Sequence, residues 1–502
     1  MSASDTNNTK QAAWVAIGNF FSFLIGIVTP MILSRFFSKD DYGTYKQVMY
    51  VYDTLLVVFT LGLPRTYSYF LPKFPQEQSK SIINKITSVF FILGGLFSVV
   101  LFTCASPIAN WLDNERLEHA IRLFSPTPFF LLPTLGIDGI YASFRKTQFV
   151  ALYTTFTRVF TIVCIVLPVL LLHGNYIHAI IGFDIASFAT FLLAMYMKSA
   201  PVKKYTYERT SVTYKDIFGF AFPLFYASIW GMIIHSSNQF FISRYYGTAV
   251  FADYSNGFMQ NPLVGMVVGG ISVVLLPVFS GMNKNKDSSD LNQVFSVWRS
   301  SLIKSSQFVF PILIFSICFA NLLMICMYGD NYSSSTLYFQ IRNTSALLQI
   351  IPFAPIILSI GKTREYANAH LITAILIVSL EYVAVKTIDS PIAVAVVSEL
   401  CRVFNICLQM GIIVRYFNVN LSLLFPSKVL GKVLLVSVLS SFVPLLFIHF
   451  TSINKFLLLI ICFFLYVICY YIFCWCFKLS YKEIASSFFK SISQSKIFKL
   501  IP

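Results

Sequence analysis

The chain has 502 residues, of which 57% are hydrophobic and 12% charged, and its formal net charge is +16. Soluble domains carry about 25% charged residues, so this composition excludes a water-soluble surface and indicates an integral membrane protein. The positive charge does not point to nucleic acid, because the basic residues flank apolar segments, where anionic membrane lipids are the expected partners.

Apolar runs recur along the whole chain, and each is close to the about 20 residues that a membrane-spanning helix needs. Barrel strands would instead alternate over about ten residues. We therefore predict an all-α integral membrane protein with about fourteen transmembrane helices. The first seven lie at 11–34, 45–63, 82–105, 120–141, 150–172, 177–197 and 216–242. The others lie at 253–280, 301–327, 335–360, 369–385, 391–414, 429–449 and 456–477.

The first span is expected to stay in the mature protein, because polar residues precede it and it lacks the short apolar region and cleavage site of a signal peptide. Lys and Arg residues mark cytoplasmic loops. With the N-terminus inside, most of the 37 basic residues fall on cytoplasmic segments, which also places the C-terminus inside. The outer side holds fewer: Arg35, Lys39, Lys46, Arg116, Arg122, Arg244, Lys386 and Lys455.

A short motif occurs twice in the chain. Ser34-Arg35-Phe36-Phe37, followed by Tyr42-Gly43-Thr44-Tyr45, returns as Ser243-Arg244-Tyr245-Tyr246 and Phe251-Ala252-Asp253-Tyr254, at a constant offset of 209 from 34 to 243 and from 45 to 254. A weaker sequence similarity relates the residues that begin at Lys146 to those that begin at Lys362, at an offset of 216. Each offset jumps six predicted helices, so the two halves would be parallel repeats, an arrangement found in transporters.

The repeat predicts five segments. An N-terminal six-helix lobe covers residues 1–197, a basic cytoplasmic linker covers 198–215, and a C-terminal six-helix lobe covers 216–415. Two extra C-terminal helices follow within 416–477. The basic tail, 478–502, either lies along the membrane as an amphipathic segment or is a frayed end.

The chain resembles the Wzx-like polysaccharide flippases of the multidrug/oligosaccharidyl-lipid/polysaccharide (MOP) exporter superfamily. The residues that carry the resemblance are Leu33-Ser34-Arg35-Phe36-Phe37-Ser38, then Asp41-Tyr42-Gly43, and Leu61-Gly62-Leu63-Pro64-Arg65 at the end of the second predicted helix. The helix order resembles that family over the full chain.

This resemblance implies two six-helix lobes around a central cavity that opens alternately to either side of a bacterial inner membrane. It implies a substrate of undecaprenyl diphosphate carrying an oligosaccharide repeat unit, exported for O-antigen, capsule or exopolysaccharide assembly. Other polysaccharide assembly proteins are further implied partners.

A diphosphate needs cationic groups at membrane depth, and a guanidinium fork suits phosphate well. The candidate substrate-binding residues are Arg65, Arg145, Arg158, Arg342, Arg402, Lys304, His235 and Asn238. Arg158 and Arg342 have no acid within one helical turn, so we expect both to face a cavity. Other candidates have a structural alternative. Arg65 and Arg145 would snorkel to headgroups, Arg402 would pair with Glu399 one turn away, and the polar run from His235 to Gln239 would form interhelical hydrogen bonds.

Five acids fall within predicted spans: Asp53, Asp138, Asp184, Glu381 and Glu399. The sequence leaves open whether any of them couples transport to H⁺ or Na⁺ or only neutralises an arginine. No cofactor and no metal site is predicted. The ten cysteines all lie in spans, where they act as small packing residues.

Two other classes of membrane protein are alternatives to a flippase. A MATE-type drug/cation antiporter shares the fold, but proton-coupled members of that family carry an acid in the first helix, and residues 11–34 contain none. A membrane-embedded polysaccharide polymerase or ligase needs a large outer loop for catalysis, and the outer loops here are short. No P-loop, H-E-x-x-H or nucleophile-elbow motif occurs, so we predict that the protein is not an enzyme.

Overall fold

A computed structural model of the protein describes residues 26–205, 207–261, 263–269, 288–350, 353, 356–357, 360–420, 425–451 and 453–479. Within these ranges the regular structure is helical throughout, which confirms the predicted all-α class. The helices are α1 Gly26–Phe36, α2 Lys39–Thr60, α3 Pro64–Phe70, α4 Ser79–Thr103, α5 Ala105–Trp111, α6 Glu115–Phe124, α7 Thr127–Leu131, α8 Ile137–Ser143, α9 Thr147–Leu171, α10 Tyr176–Ser199 and α11 Tyr214–Gly257. They continue with α12 Ser288–Cys318, α13 Ala320–Tyr328, α14 Ser335–Ala346, α15 Thr363–Thr387, α16 Pro391–Phe417, α17 Ser427–Phe450 and α18 Lys455–Cys476.

Eleven helical segments in the described residues are long and apolar enough to cross a membrane. Each corresponds to one predicted span. The other three predicted spans, at 11–34, 253–280 and 335–360, each include residues outside the described ranges, as does most of the predicted tail 478–502. The total of fourteen helices therefore stays a prediction.

The described residues form two compact units. The first lies within Met1–Asn256 and His370–Ser398, and the second within Gly257–Ala369 and Glu399–Pro502. This division differs from the predicted lobes 1–197 and 216–415, because most of α11 and residues 370–398 pack with the N-terminal helices. The lobe boundaries stay a prediction.

The backbone breaks at equivalent places in the two copies of the repeated motif. Ser38, just before α2, has an extended backbone with φ −60° and ψ 158°. Gly247, inside α11, has φ 80° and ψ 175°, so α11 is two helices that meet at a kink. The two breaks are 209 residues apart, from 38 to 247, which is the offset of the sequence motif. Gly suits the second break because a side chain disfavours positive φ.

Left-handed backbone conformations also recur, at the second offset. Three pairs of residues 216 apart have positive φ: Asp113 (54°) with Gly329 (97°), Arg145 (56°) with Gly361 (77°), and His173 (48°) with Asp389 (49°). Such residues end helices, because a left-handed residue satisfies the last carbonyls of the preceding turn.

Backbone hydrogen bonds beside the second of these pairs, Arg145 and Gly361, also recur at this offset. Lys146 N donates to Tyr141 O at 2.9 Å, and Lys362 N donates to Ile357 O at 3.0 Å. These helix ends support the predicted repeat. The offset grows from 209 to 216, so seven extra residues lie between Tyr254 and Gly329 in the second copy. The equivalence of Arg35 and Arg244 that the repeat predicts stays a prediction.

Two glycines permit close backbone approaches in the first unit. A Cβ at Gly182 in α10 would overlap the carbonyl oxygen of Cys164 in α9, and a Cβ at Gly43 in α2 would overlap that of Thr248 in α11. Small residues let membrane helices pack closely. Gly43 therefore allows α2 to lie directly against the second copy of the motif.

Candidate functional site

The eight candidate residues divide by exposure. Five have exposed side chains: Arg65, Arg145, Arg158, Lys304 and His235. The other three are buried: Arg342 is 5% exposed, Arg402 is 7% exposed and Asn238 is 0% exposed. The sequence predicted a cavity-facing position for Arg342 and left open, for Asn238, a sugar contact or an interhelical hydrogen bond. Whether either residue binds substrate stays a prediction.

Arg342 lies in a buried ion-pair cluster. Its Nη1 contacts Glu399 Oε1 at 2.9 Å, and Arg402 Nη1 contacts the same oxygen at 3.0 Å. The pairing of Arg402 with Glu399 was one of the two sequence alternatives. The pairing of Arg342 was missed, because 57 residues separate it from Glu399 and only the packing of α14 beside α16 joins them. Two guanidiniums face one carboxylate, so these three side chains together carry a charge of +1.

Two further residues complete this cluster. Ser345, one turn after Arg342 in α14, donates its hydroxyl to Glu399 Oε2. The ring of Phe258 faces both arginines, with its centroid 5.6 Å from Cζ of Arg342 and 5.4 Å from Cζ of Arg402. A ring face attracts cations most strongly when water is excluded. We call these five residues the arginine–glutamate cluster; all of them belong to the second unit.

Arg158 belongs to a different charged group, in the first unit. The carboxyl of Asp53 in α2 lies within electrostatic range of Arg158 in α9 and of Lys46 in α2. Lys46 and Asp53 are seven residues apart, or two helical turns, so they share a helix face. Lys46 lies two turns into α2, and its predicted assignment to the outer side stays a prediction. Charges on spanning helices are expected to face an aqueous space or one another.

Asn238 forms a contact between helices. Its Nδ2 donates to Ser398 Oγ in α16 at 2.7 Å, and its Oδ1 accepts from the backbone N of Gln239 at 2.7 Å. This geometry favours the structural alternative for Asn238. His235, one turn earlier, has an exposed side chain and stays the better candidate for a substrate contact on α11.

The remaining basic candidates occupy helix ends or exposed helix faces. Arg65 follows Pro64 at the start of α3, Arg145 is in the left-handed turn before α9, and Lys304 is exposed on α12. Their role in substrate binding stays a prediction. Arg145 also has a positive φ at the position equivalent to Gly361, a conformation that disfavours a side chain.

A buried lysine was missed because the sequence placed it in the linker. Lys198 is only 3% exposed and lies in the last turn of α10. Its Nζ donates to the Tyr67 hydroxyl at 3.0 Å, and that hydroxyl lies 2.8 Å from Thr87 Oγ1. The ammonium group lies 4.7 Å from the centroid of the Tyr67 ring and 5.6 Å from that of the Phe90 ring. Lys198 thus belongs to the helix bundle.

Contacts between the two motif copies form what we call the motif network, the contacts that join residues 38–47 to residues 243–256. Lys39 Nζ pairs with Asp253 Oδ2 at 2.8 Å, and the Tyr42 hydroxyl donates to Asn256 Oδ1 at 2.6 Å. Gln47 Nε2 donates to Ser243 Oγ at 2.7 Å. By the predicted topology, this network lies at the outer membrane surface.

A pocket of about 950 Å³ lies at the opposite predicted end of the first unit. Aromatic rings form much of its wall: Tyr69 and Phe220 stack with centroids 4.0 Å apart. Lys73 Nζ lies 3.5 Å from the centroid of the Tyr69 ring, and Lys215 also lines the pocket. Rings and ammonium groups together can bind the sugar and the phosphate of a sugar-phosphate headgroup.

Comparisons with known proteins agree with this architecture. Residues 32–337 match the family described as polysaccharide biosynthesis protein. The succinoglycan biosynthesis transport protein ExoT of Rhizobium meliloti (strain 1021) is 23% identical over 288 residues, which are 56% of this chain and 55% of that protein. The match thus spans about half the length of this curated relative.

Two solved structures have a similar fold. The lipid II flippase MurJ in an inward closed conformation has a TM-score of 0.69 and 17% identity, with 93% of this chain and 99% of that chain covered. An inward-facing multidrug resistance MATE family transporter of the MOP superfamily has a TM-score of 0.64 and 10% identity, with 79% and 95% covered. These relatives are named as flippases and transporters, as the predicted class requires. The family match covers more than half of the chain, so this membrane protein, which has the fold of MOP-superfamily transporters, belongs to the polysaccharide biosynthesis protein family.

Proposed function

We propose that the protein flips undecaprenyl-diphosphate-linked oligosaccharide repeat units from the cytoplasmic to the periplasmic leaflet by alternating access. The exported units serve O-antigen, capsule or exopolysaccharide assembly in a bacterial inner membrane, with both termini in the cytoplasm. The family description and the relative named for succinoglycan transport support a polysaccharide substrate. The fold shared with a lipid II flippase supports a lipid-linked one.

The main observation in support of this proposal is that arginines lie on spanning helices. Arg158 lies in the middle of α9, and Arg402 lies in the middle of α16 beside Arg342. Charges at membrane depth cost several kcal/mol in lipid. A diphosphate headgroup gives them a function, because it needs cationic partners while its prenyl chain stays in the bilayer.

The charged and aromatic groups of the protein fit the separate steps of such transport. The pocket lined by Lys73, Lys215 and aromatic rings would receive the sugar-phosphate headgroup on the cytoplasmic side. Arg158 in the first unit, and Arg342 and Arg402 in the second, would each offer a moderate attraction rather than one deep trap, which lets the headgroup leave again. The motif network would close the outer end until release.

Reconstitution tests this function directly. Purified protein in vesicles should move a lipid-linked oligosaccharide to the leaflet where a membrane-impermeant lectin or glycosidase can reach it. Arg158→Ala and Arg342→Ala, alone or together, should slow this movement, and Lys at either position should restore part of it by keeping the charge without the fork. Arg415→Ala, at the exposed end of α16, is the matched control.

The experiment also separates the second candidate function. The fold shared with a multidrug MATE transporter favours an antiporter as the alternative. Antiporter activity would appear as uptake of an organic cation driven by an imposed H⁺ or Na⁺ gradient, with no movement of lipid-linked sugar. Normal lipid movement in the Arg158→Ala, Arg342→Ala double variant would reject these arginines as the cationic path.

A further inference from the structure

A contribution to stability does not by itself explain the arginine–glutamate cluster. A buried ion pair seldom adds stability over apolar residues of similar size, because the desolvation of the charges offsets their attraction. Arg342, Glu399 and Arg402 are all less than 8% exposed. Both guanidiniums contact a single carboxylate oxygen, Oε1, so one acid holds two bases at a depth where each base alone would be costly.

We propose that Glu399 is an internal counter-ion that occupies the anion site in the empty carrier, and that the diphosphate of a membrane-anchored prenyl diphosphate displaces it from Arg342 and Arg402 during transport. This inference rests on the proposed function, since it places both arginines on the substrate path. It assigns Glu399 a specificity role: the site admits only an anion that can replace a carboxylate.

The exchange is favourable on grounds of charge and geometry. The linking diphosphate of a lipid-linked sugar carries two negative charges, whereas Glu399 carries one, so two guanidiniums match the diphosphate better. Each guanidinium contacts Glu399 through one nitrogen, Nη1. Phosphate oxygens can accept two parallel N–H bonds from each guanidinium fork.

The exchange also keeps binding weak enough for release. A site with two bare arginines would bind a diphosphate tightly and hold it. Competition from Glu399 lowers the net affinity by the free energy of the ion pairs that must break, and the returning carboxylate helps to expel the headgroup. A ligand that binds one carrier state too tightly would stop the cycle.

Two neighbouring residues hold the site in place while the carboxylate leaves. The Phe258 ring lies against both guanidiniums and can keep them oriented in either state. Ser345 bonds to Oε2, the oxygen that does not touch the arginines, so it can hold the carboxylate as Oε1 withdraws. These contacts make Glu399 the moving part and the arginines the fixed part.

Binding measurements test the inference. The full-length protein in lipid nanodiscs is titrated with undecaprenyl diphosphate, and with undecaprenol as the uncharged probe, and bound lipid is counted by native mass spectrometry. Glu399→Gln should lower the Kd for the diphosphate by about tenfold and leave that for undecaprenol unchanged. In vesicles the same variant should flip lipid-linked sugar more slowly. Arg342→Gln and Arg402→Gln should raise the diphosphate Kd, whereas Arg415→Gln should not change it.

The outcomes separate this inference from the proposed function. If Arg342→Gln and Arg402→Gln weaken binding while Glu399→Gln leaves it unchanged, the arginines belong to the path and Glu399 is not a competing anion. If none of these variants changes diphosphate binding, the proposed role of the arginines in substrate binding is rejected as well. An equal gain in affinity for undecaprenol would show a general loosening of the helix bundle and would also overturn the inference.

Glu399→Gln could fail to accumulate because it leaves two buried arginines without their acid. Glu399→Asp then replaces it, since aspartate keeps the charge but is shorter by one methylene and cannot reach both guanidiniums as well. This variant should also bind undecaprenyl diphosphate more tightly than the natural protein. An unchanged Kd in a folded Glu399→Asp protein would overturn the inference.

Discussion

Lys39 and Asp253 form an ion pair with 2.8 Å between Nζ and Oδ2, and each belongs to one copy of the repeated motif. Lys39 begins α2 directly after the break at Ser38, and Asp253 follows the equivalent break at Gly247. Side chains of the two motif copies therefore bind one another. The predicted lobe boundaries put the two copies in different lobes, and contacts between moving lobes would have to open and close in each cycle.

Loss of this ion pair should make the motif network open more often. Ala252, which is 0% exposed in the second motif copy next to Asp253, reports the opening when it is changed to Cys in a variant without the ten native cysteines. We expect a membrane-impermeant maleimide to label Ala252→Cys several-fold faster after Lys39→Ala, because a partly exposed ion pair contributes up to about 1 kcal/mol.

The charge swap provides the check on this first prediction. Lys39→Asp combined with Asp253→Lys should return labelling towards the original rate, and Lys428→Ala, on the exposed start of α17, should leave it unchanged. Equal labelling rates with and without Lys39 would show that the pair does not hold this network closed.

A methyl group at Gly43 should force α2 away from α11. The added Cβ would overlap the carbonyl oxygen of Thr248, and overpacking of this kind typically costs about 1–3 kcal/mol. We expect Gly43→Ala to lower the melting temperature in detergent and to raise labelling of the Ala252→Cys reporter. Gly231→Ala is the matched control, because a Cβ there meets nothing within 4 Å. A melting temperature as high as that of Gly231→Ala would contradict the close approach.

The effects of substitutions at Arg158 and at Asp53 should depend on each other. Removal of Arg158 leaves the Asp53 carboxyl with one cation, Lys46, of the two that act on it. We expect Arg158→Ala to lower both thermal stability and glycan export. Adding Asp53→Asn should recover part of the stability but not the export, because the cationic path needs the guanidinium itself. A double-mutant cycle on melting temperature measures the coupling, and additive effects would show that the two residues do not interact.

Substitutions at Arg145 distinguish a strained backbone position from a substrate contact. Its φ of 56° is left-handed, whereas its repeat equivalent is Gly361, and an L-residue in that conformation costs about 1–2 kcal/mol relative to glycine. Arg145→Gly should therefore raise the melting temperature. If the guanidinium also binds substrate, the same variant should lose export, and Arg145→Lys should keep part of it. A lower melting temperature for Arg145→Gly would show that the arginine side chain stabilises the turn.

Reporter fusions test the predicted topology. Tags inserted at Lys204 and at the C-terminus should report the cytoplasm, and a tag at Gly174 should report the outside. Lys204 follows α10, and Gly174 lies in the turn between α9 and α10. A periplasmic signal at Lys204 would invert the assignment of the pocket and of the motif network to the two membrane surfaces.

Local sequence signals determined the helices and the equivalent points of the two repeats. Apolar runs located each of the eleven spanning segments, because in a membrane every backbone polar group must be satisfied within its own helix. The motif at an offset of 209 residues predicted parallel repeats, and the structure adds backbone breaks at Ser38 and Gly247 with the same offset.

Only the tertiary structure decided which polar residues meet. Arg342 had no acid near it in sequence, and packing of α14 beside α16 brought Glu399 to it from 57 residues away. Asn238 and Lys198 became internal residues because Ser398 and Tyr67 lay in reach on neighbouring helices. Helix formation depends on a local run of residues, whereas the partner of a side chain depends on how distant helices pack, and hydropathy carries no information about that.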